Sequence, residues 1–185
     1  AKLSRAAQQS PRPGMVATGG TCGAPVHHPG AKRFADGGSQ VPDGIRQVKL
    51  PKGTIHGDLF CDNVLFVDGC VSGIIDFGFA ATDFFGYDLA IAVNDWCVGR
   101  NADDAPDDER MRAMVGGYHD VRPLTGDERV QWHALLRAAA LRFWVSRLYD
   151  LHLPRPGELT HAHDPVPFER LLRARASAPA RPLDV

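Results

Sequence analysis

The sequence predicts an α+β fold in which a small β-hairpin is followed by a mainly helical lobe. Two runs rich in β-branched and aromatic residues flank Asp68-Gly69, a dipeptide favoured in two-residue hairpin turns. From Gly86 onward, apolar residues recur at helical rather than strand spacing. Four prolines, at positions 154, 156, 165 and 167, then separate the last predicted helix from the rest.

Residues 1–48 differ in character from the rest of the chain. They are rich in glycine and proline, and no helical or strand period persists in them. Such a segment buries too little apolar surface to offset the entropy lost on ordering. We therefore expect residues 1–48 to be disordered or unrelated to the lobe, which we place at residues 49–176, with residues 177–185 as a tail.

Order is expected to begin near Leu50. The run "TIHGDL" predicts a short strand that enters a loop, and "NVLFVDGCVSGIIDF" predicts the hairpin. The run "YDLAIAVNDWCV" predicts a helix with Leu89, Val93 and Trp96 on one face. Acidic residues at the start of "DDERMRAMVGGYHDV" suit the first turn of a second helix, and "FERLLRARA" predicts a short last helix.

A long helix is predicted from Gly126 to about residue 150. Thr125 and Glu128 have the spacing of a capping box at its start. Arg142 and Arg147 are expected in solvent, the commoner case, with contact to a substrate carboxylate or phosphate as the alternative. The apolar residues expected to form its core face are Leu135, Leu136, Leu141, Phe143, Trp144 and Leu148.

Composition argues against several classes of partner. The net charge is −1, so the chain lacks the basic footprint of a nucleic-acid-binding protein. No apolar run approaches the ~20 residues that span a bilayer, and no signal peptide opens the chain, so no membrane partner is expected. The four cysteines lack CxxC pairing, which favours a cytoplasmic location. Four histidines lack the further Cys or His ligands that would complete a metal site, so we expect them in exposed loops. They are His27, His28, His161 and His163.

Three polar side chains have the spacing of a phosphoryl-transfer site. Asp58 and Asn63 lie five residues apart in "IHGDLFCDNVLF", as do the catalytic Asp and metal-binding Asn of the protein-kinase catalytic loop. Asp76 follows in "IDFG", and the intervening hairpin would return its oxygens to the same end as those of Asn63. We predict that Asp58 is the base and that Asn63 and Asp76 bind Mg²⁺. The alternative is that both aspartates only cap turns.

The stretches "HGDLFCDNVLF", "IDFGFA" and "YDLAIAVNDWC" together resemble the aminoglycoside phosphotransferase and choline kinase superfamily, small-molecule kinases with a protein-kinase-like fold. Within it the likeness is to the bacterial homoserine kinases, and it covers about residues 49–175. It implies ATP-dependent phosphorylation of the hydroxyl of L-homoserine, in threonine biosynthesis. The alternatives are another acceptor (an aminoglycoside, choline or another amino alcohol) or a non-catalytic truncated pseudokinase.

The resemblance also implies residue roles around the loop. Asp58 would be the base, and Asn63 and Asp76 would hold the Mg²⁺ that accompanies ATP. His56 would support the catalytic loop; its alternative is a buried imidazole bonded to a backbone carbonyl. Asp88 would be a structural carboxylate that accepts hydrogen bonds from the backbone of the loop.

The acceptor is implied to lie against the end of the first helix. There Asn94, Asp95 and Trp96 would face the acceptor, with an acidic group paired to the amino group of homoserine. The alternative is a helix surface with Trp96 in the core.

Kinases of this kind also have an N-terminal lobe, a five-stranded sheet with a lysine paired to a helical glutamate. No lysine before residue 50 lies in a suitable strand pattern, and no glutamate precedes Glu109. We therefore expect the N-terminal lobe to be missing and the activity of the chain to be impaired. The apolar surface left uncovered would allow self-association.

Overall fold

In a computed structural model of the chain, residues 48–99, 105–153 and 163–185 are described. The expectations for the segment before residue 48, including the missing lobe, lie outside this range. The expectations for His27, His28 and His161 also lie outside the described residues. His163 is exposed, as expected.

The described residues form the predicted α+β fold, with two small antiparallel sheets and four helices. Across these ranges, no helix combines the length and hydropathy needed to cross a membrane. The strands are β1 (Lys52–Ile55), β2 (Val64–Val67), β3 (Cys70–Ile74) and β4 (Ala81–Phe84), and the helices are α1 (Phe85–Trp96), α2 (Asp108–Val121), α3 (Gly126–His152) and α4 (Val166–Ser177).

Strands β2 and β3 form the predicted hairpin. Asp68 and Gly69 have φ angles of 50° and 78°, the positive values that a two-residue hairpin turn of this kind requires. Large apolar side chains of the hairpin and of the residues that follow it are exposed to solvent. They are Leu65, Phe66, Val67, Val71, Ile74, Ile75 and Phe77.

The second sheet pairs β1 with β4, a strand that the sequence reading did not predict. Ile55 lies opposite Ala81, and Lys52 lies opposite Phe84. Because β4 leads directly into α1, this pairing places the loop after β1 beside the first turn of that helix.

The core is formed where α3 packs on α1 and on α4. Ile91 of α1 and Leu135 of α3 are fully buried, and Phe168 of α4 packs on Phe143 of α3 with ring centroids 5.4 Å apart. The helices α1 and α3 approach closely at Gly86, where a Cβ atom would lie 3.0 Å from Cδ1 of Leu135. A larger residue at position 86 would therefore require Leu135 or one of the two helices to shift.

Helix α3 begins with the predicted capping box. The backbone N–H of Glu128 donates to Oγ1 of Thr125 at 3.2 Å, and the backbone N–H of Thr125 donates to Oε2 of Glu128 at 2.9 Å. Glu128 is buried and forms a 2.9 Å ion pair with Arg122. The helix continues to His152.

The predicted core face of α3 is wrong for one residue, Leu141. Leu135, Leu136 and Phe143 are buried, and Trp144 and Leu148 are half-buried, but Leu141 is 39% exposed. The reason is helical geometry: Arg142, seven residues after Leu135, completes two turns and so occupies the inward face at this level.

The predicted tail packs along α3. The backbone N–H of Leu183 donates to the carbonyl of Arg129 at 2.9 Å, and its carbonyl accepts from Nε of Arg129 at 2.9 Å. The Leu183 side chain is buried, so this end of the chain adds to the core.

Candidate active site

The loop after β1 is fastened to α1 by one carboxylate. Oδ2 of Asp88 accepts from the backbone N–H of His56 at 3.0 Å, and Oδ1 accepts from that of Gly57 at 2.8 Å. Gly57 has a φ of 77°, and a Cβ atom there would lie 2.6 Å from the carbonyl oxygen of Phe79. Only glycine therefore fits without strain at the residue that precedes Asp58.

His56 links the loop to the far end of the hairpin. Its ring is buried, with Nε2 2.9 Å from the carbonyl oxygen of Ile75 and Nδ1 accepting from the backbone N–H of Asp58 at 3.2 Å. Both contacts are satisfied by a neutral ring protonated on Nε2. One side chain thus positions the backbone of Asp58 and of the residue before Asp76.

Asn63 and Asp76 lie at the same end of the hairpin as Asp58. Nδ2 of Asn63 donates to the backbone carbonyl of Asp58 at 2.7 Å and lies 3.4 Å from its Oδ2. The backbone N–H of Ile75 donates to the carbonyl of Asn63 at 3.0 Å. Asp76 follows with a φ of 60°, a left-handed conformation that is uncommon outside glycine. Strained residues of this kind cluster at functional sites.

The electrostatic setting of Asp58 is mixed. Burial raises the pKa of its carboxyl, the guanidinium of Arg142 lowers it, and the negative charge of Asp76 raises it again. The negative charge of Asp76 thus acts on Asp58, and a cation held by Asp76 would offset that repulsion.

The available oxygens fit Mg²⁺. With Nδ2 of Asn63 directed to Asp58, its Oδ1 is left as a donor, and Asp76 adds a carboxylate that accepts one hydrogen bond, from the backbone N–H of Gly78 at 3.3 Å. Such oxygen donors are those Mg²⁺ prefers. Within the described ranges, no three His, Cys, Asp or Glu side chains are grouped to hold a metal, so an ion here would depend on the amide of Asn63.

The sequence reading missed the position of Arg142. The expectation of a solvent-exposed side chain is wrong for this residue: its Nη1 donates to the backbone carbonyl of Gly57, and its guanidinium lies 4.4 Å from the ring centroid of Phe143 and 5.1 Å from that of Phe79. Burial lowers the pKa of Arg142. Its spacing of seven residues from Leu135, on the core face, is the signal that could have revealed it.

The three residues predicted to face the acceptor have defined partners. Oδ2 of Asp95 accepts from the backbone N–H of Cys61 at 2.7 Å, and Nε1 of Trp96 donates to the carbonyl of Leu59 at 3.0 Å. Asn94 is 2% exposed, and its Nδ2 donates to the carbonyl of Leu136 at 2.8 Å. Asp95 and Trp96 therefore hold the loop after β1 against α1, and Asn94 joins α1 to α3.

Comparison with known proteins shows which enzyme family this part of the chain resembles. Residues 38–124 match the sequence profile of the phosphotransferase enzyme family. The matched residues include Asp58, Asn63, Asp76 and Asp88, so this part of the chain is similar to that family over the whole candidate site.

Bacterial homoserine kinases are the particular proteins to which the chain is similar. It is 55% identical over 130 residues to the homoserine kinase of Methylobacillus flagellatus, 53% over 142 residues to that of Ralstonia nicotianae, and 52% over 123 residues to that of Neisseria meningitidis. These alignments cover 70%, 74% and 66% of this chain and 40%, 42% and 40% of the relatives. The resemblance inferred from the motifs is confirmed, although the chain spans only about two-fifths of the length of these relatives.

Proposed function

We propose that this chain takes part in ATP-dependent phosphorylation of the hydroxyl of L-homoserine. Residues 49–176 are proposed as the C-terminal lobe of a protein-kinase-like fold. The observation that carries the proposal is the convergence of Asp58, Asn63 and Asp76 around one loop that His56 and Asp88 fix in place. The similarity to homoserine kinases supports this acceptor over choline or an aminoglycoside.

Asp58 is proposed as the base. Its carboxylate would accept the hydroxyl proton of the acceptor as the hydroxyl oxygen forms a bond to the γ-phosphorus of ATP and the bond to the leaving ADP breaks. Burial raises the pKa of Asp58 and so strengthens it as a base, while Arg142 limits the rise. His56 and Asp88 act as positioning residues, since their contacts are to the backbone of the loop.

Asn63 and Asp76 are proposed to hold Mg²⁺ beside the phosphates of ATP. When bound, the ion would neutralise charge on the phosphates. The chain's own contribution is to present two oxygen donors at the open end of one hairpin, Asn63 before its first strand and Asp76 after its second. The hydrogen bond between the backbone of Asn63 and that of Ile75 keeps the two strands together at this end.

A phosphotransfer assay tests the proposal. The chain is incubated with ATP, Mg²⁺ and L-homoserine, choline or an aminoglycoside, and ADP formation is followed. We expect transfer to L-homoserine only, and a loss of about 10² to 10⁴-fold in kcat for Asp58→Asn and Asp76→Asn. Asp127→Asn, at an exposed position in the first turn of α3, is the matched control and should keep full activity.

Two results would contradict the assignment. One is a loss below about tenfold in Asp58→Asn. The other is homoserine phosphorylation no faster in the wild type than in that variant. Metal binding is measured separately with Mn²⁺. The ion should broaden the NMR signals of Asn63 and Asp76 in the wild type. In Asp76→Asn, the signal of Asn63 should broaden far less.

The exposed apolar hairpin supports a further proposal, self-association of the chain. Phe66 and Val71 are 51% and 60% exposed, and contiguous apolar surface commonly marks association. Sedimentation velocity at rising concentration should show oligomers that Phe66→Ser with Val71→Ser abolishes. A wild type that stays monomeric would refute this.

A further inference from the structure

A second feature of the molecule is a cavity beside the catalytic loop. It has a volume of about 190 Å³ and lies between the end of α1, the second half of α3 and the start of α4. Asp95, Arg147 and Phe168 are among its lining residues. Pockets for drug-sized ligands occupy about 300 to 1,000 Å³, so this cavity suits a smaller molecule.

The cavity presents opposite charges. Oδ2 of Asp95 accepts from Cys61, but its Oδ1 takes no hydrogen bond from the described residues. Arg147 donates through Nη1 to the carbonyl of Asp164 at 3.1 Å, and its guanidinium lies 4.4 Å from the ring centroid of Phe168. The remaining guanidinium nitrogens make no hydrogen bond within the described ranges. One carboxylate oxygen and part of a guanidinium are therefore available to a ligand.

The cavity also adjoins the proposed base. Asp95 binds the backbone of Cys61, three residues beyond Asp58, and the ring of Phe60 stacks on that of Phe168 with centroids 6.0 Å apart. The charges of Asp95 and Asp58 both act on Arg147. A small ligand held in the cavity would thus extend toward the loop that carries Asp58.

We infer that this cavity binds the zwitterionic head of an amino-acid acceptor, with Asp95 paired to the α-ammonium and Arg147 to the α-carboxylate. The inference rests on the proposed function and deepens it. It assigns the acceptor to hydroxyl-bearing amino acids, because choline and aminoglycosides have no carboxylate for Arg147. The planar guanidinium, which lies over the ring of Phe168, is suited to carboxylate recognition.

Calorimetric binding without nucleotide tests the inference. L-homoserine is compared with its methyl ester, which lacks the carboxylate charge, and with N-acetyl-L-homoserine, which lacks the ammonium. The wild type should bind each derivative about ten- to a hundredfold more weakly than L-homoserine. Arg147→Gln should bind the acid and the ester equally, and Asp95→Asn should bind the free and the acetylated amine equally.

Arg137→Gln is the matched control, an exposed position on α3 ten residues before Arg147, and should leave all three affinities unchanged. Arg147→Lys should restore part of the preference for the acid. The inference is overturned if L-homoserine does not bind the wild type, or if each variant weakens all three ligands equally, as a purely structural role would.

The outcome is separable from that of the kinase proposal. Asp58→Asn should retain L-homoserine binding while losing phosphate transfer. Charge-selective binding without transfer would uphold this inference and count against the proposed function. Phosphate transfer to L-homoserine without charge-selective binding would support the proposed function and contradict this inference.

Discussion

The helical core and the loop after β1, which carries Asp58, are stabilised in different ways. In the core, Ile91 and Leu135 are fully buried and contact other apolar side chains. Around the loop, half-buried Asp58 and Asn63 are held by directed hydrogen bonds between side chains and backbone. The apolar core supplies most of the stabilising free energy, whereas the position of the proposed base depends on a few polar contacts.

Helix α1 belongs to both regions. One side of it is buried in the core, and the other presents Asp88, Asp95 and Trp96 to the backbone of the loop. The difference between the regions can therefore be tested by substitutions that act on one of them at a time.

The largest effect on stability is expected in the core. Leu135→Ala removes a fully buried side chain and should lower the free energy of unfolding by about 2 to 5 kcal/mol. Val71→Ala in the hairpin, at a position 60% exposed, should change it by less than about 0.5 kcal/mol. Urea denaturation measures both, and equal costs would show that the hairpin is as much a part of the core as α3.

A smaller loss is expected where α1 holds the loop. Asp88→Asn replaces one acceptor oxygen with an NH₂ group that faces a backbone N–H, at a cost of about 1 to 3 kcal/mol. Urea denaturation gives the cost, and amide hydrogen exchange should accelerate at Gly57 more than at Ile91. Equal acceleration at both sites would contradict a local role for Asp88.

A still smaller loss of stability is expected at the start of α3. Thr125→Ala removes the capping bond to Glu128 and should lower the free energy of unfolding by about 1 kcal/mol. Ser146→Ala, at an exposed position inside the same helix, should be nearly neutral. Thermal and urea denaturation compare the two, and a neutral Thr125→Ala would mean that Arg122 alone stabilises the buried Glu128.

The smallest effect is expected at Asp58 and depends on pH. Because burial raises its pKa in the folded state, the ionised carboxylate opposes folding at neutral pH, and this penalty disappears below the unfolded pKa of about 3.9. Asp58→Asn should therefore be slightly more stable than the wild type at pH 7 and closer to it at pH 3. Urea denaturation at both pH values measures this, and a less stable variant at pH 7 would contradict it.

Local patterns were enough to predict much of this molecule. The Asp68-Gly69 turn, the capping box of Thr125 and Glu128, and the helices depend on residues close in sequence. The kinase-like spacing of Asp58, Asn63 and Asp76 was also readable, because a tight hairpin fixes where the chain returns.

Contacts between distant residues were harder to predict. The pairing of β1 with β4 joins segments about thirty residues apart, and four residues of β-sheet have little period to detect. Arg142 reaches Gly57 across 85 positions, and its charge suggested solvent rather than the interior. The same residue displaced Leu141 from the core face, so one misjudged arginine accounts for both errors.

The absence of a side chain at Gly86 links helix packing to the position of the loop that carries Asp58. One residue separates it from Asp88, whose carboxylate binds the backbone of the loop, and it lies where α1 packs closely on α3. A methyl group added there would crowd Cδ1 of Leu135, so Leu135 or α1 would have to shift. The position of Asp58, the proposed base, is thus expected to respond to side-chain volume at a residue that has no role in the proposed chemistry.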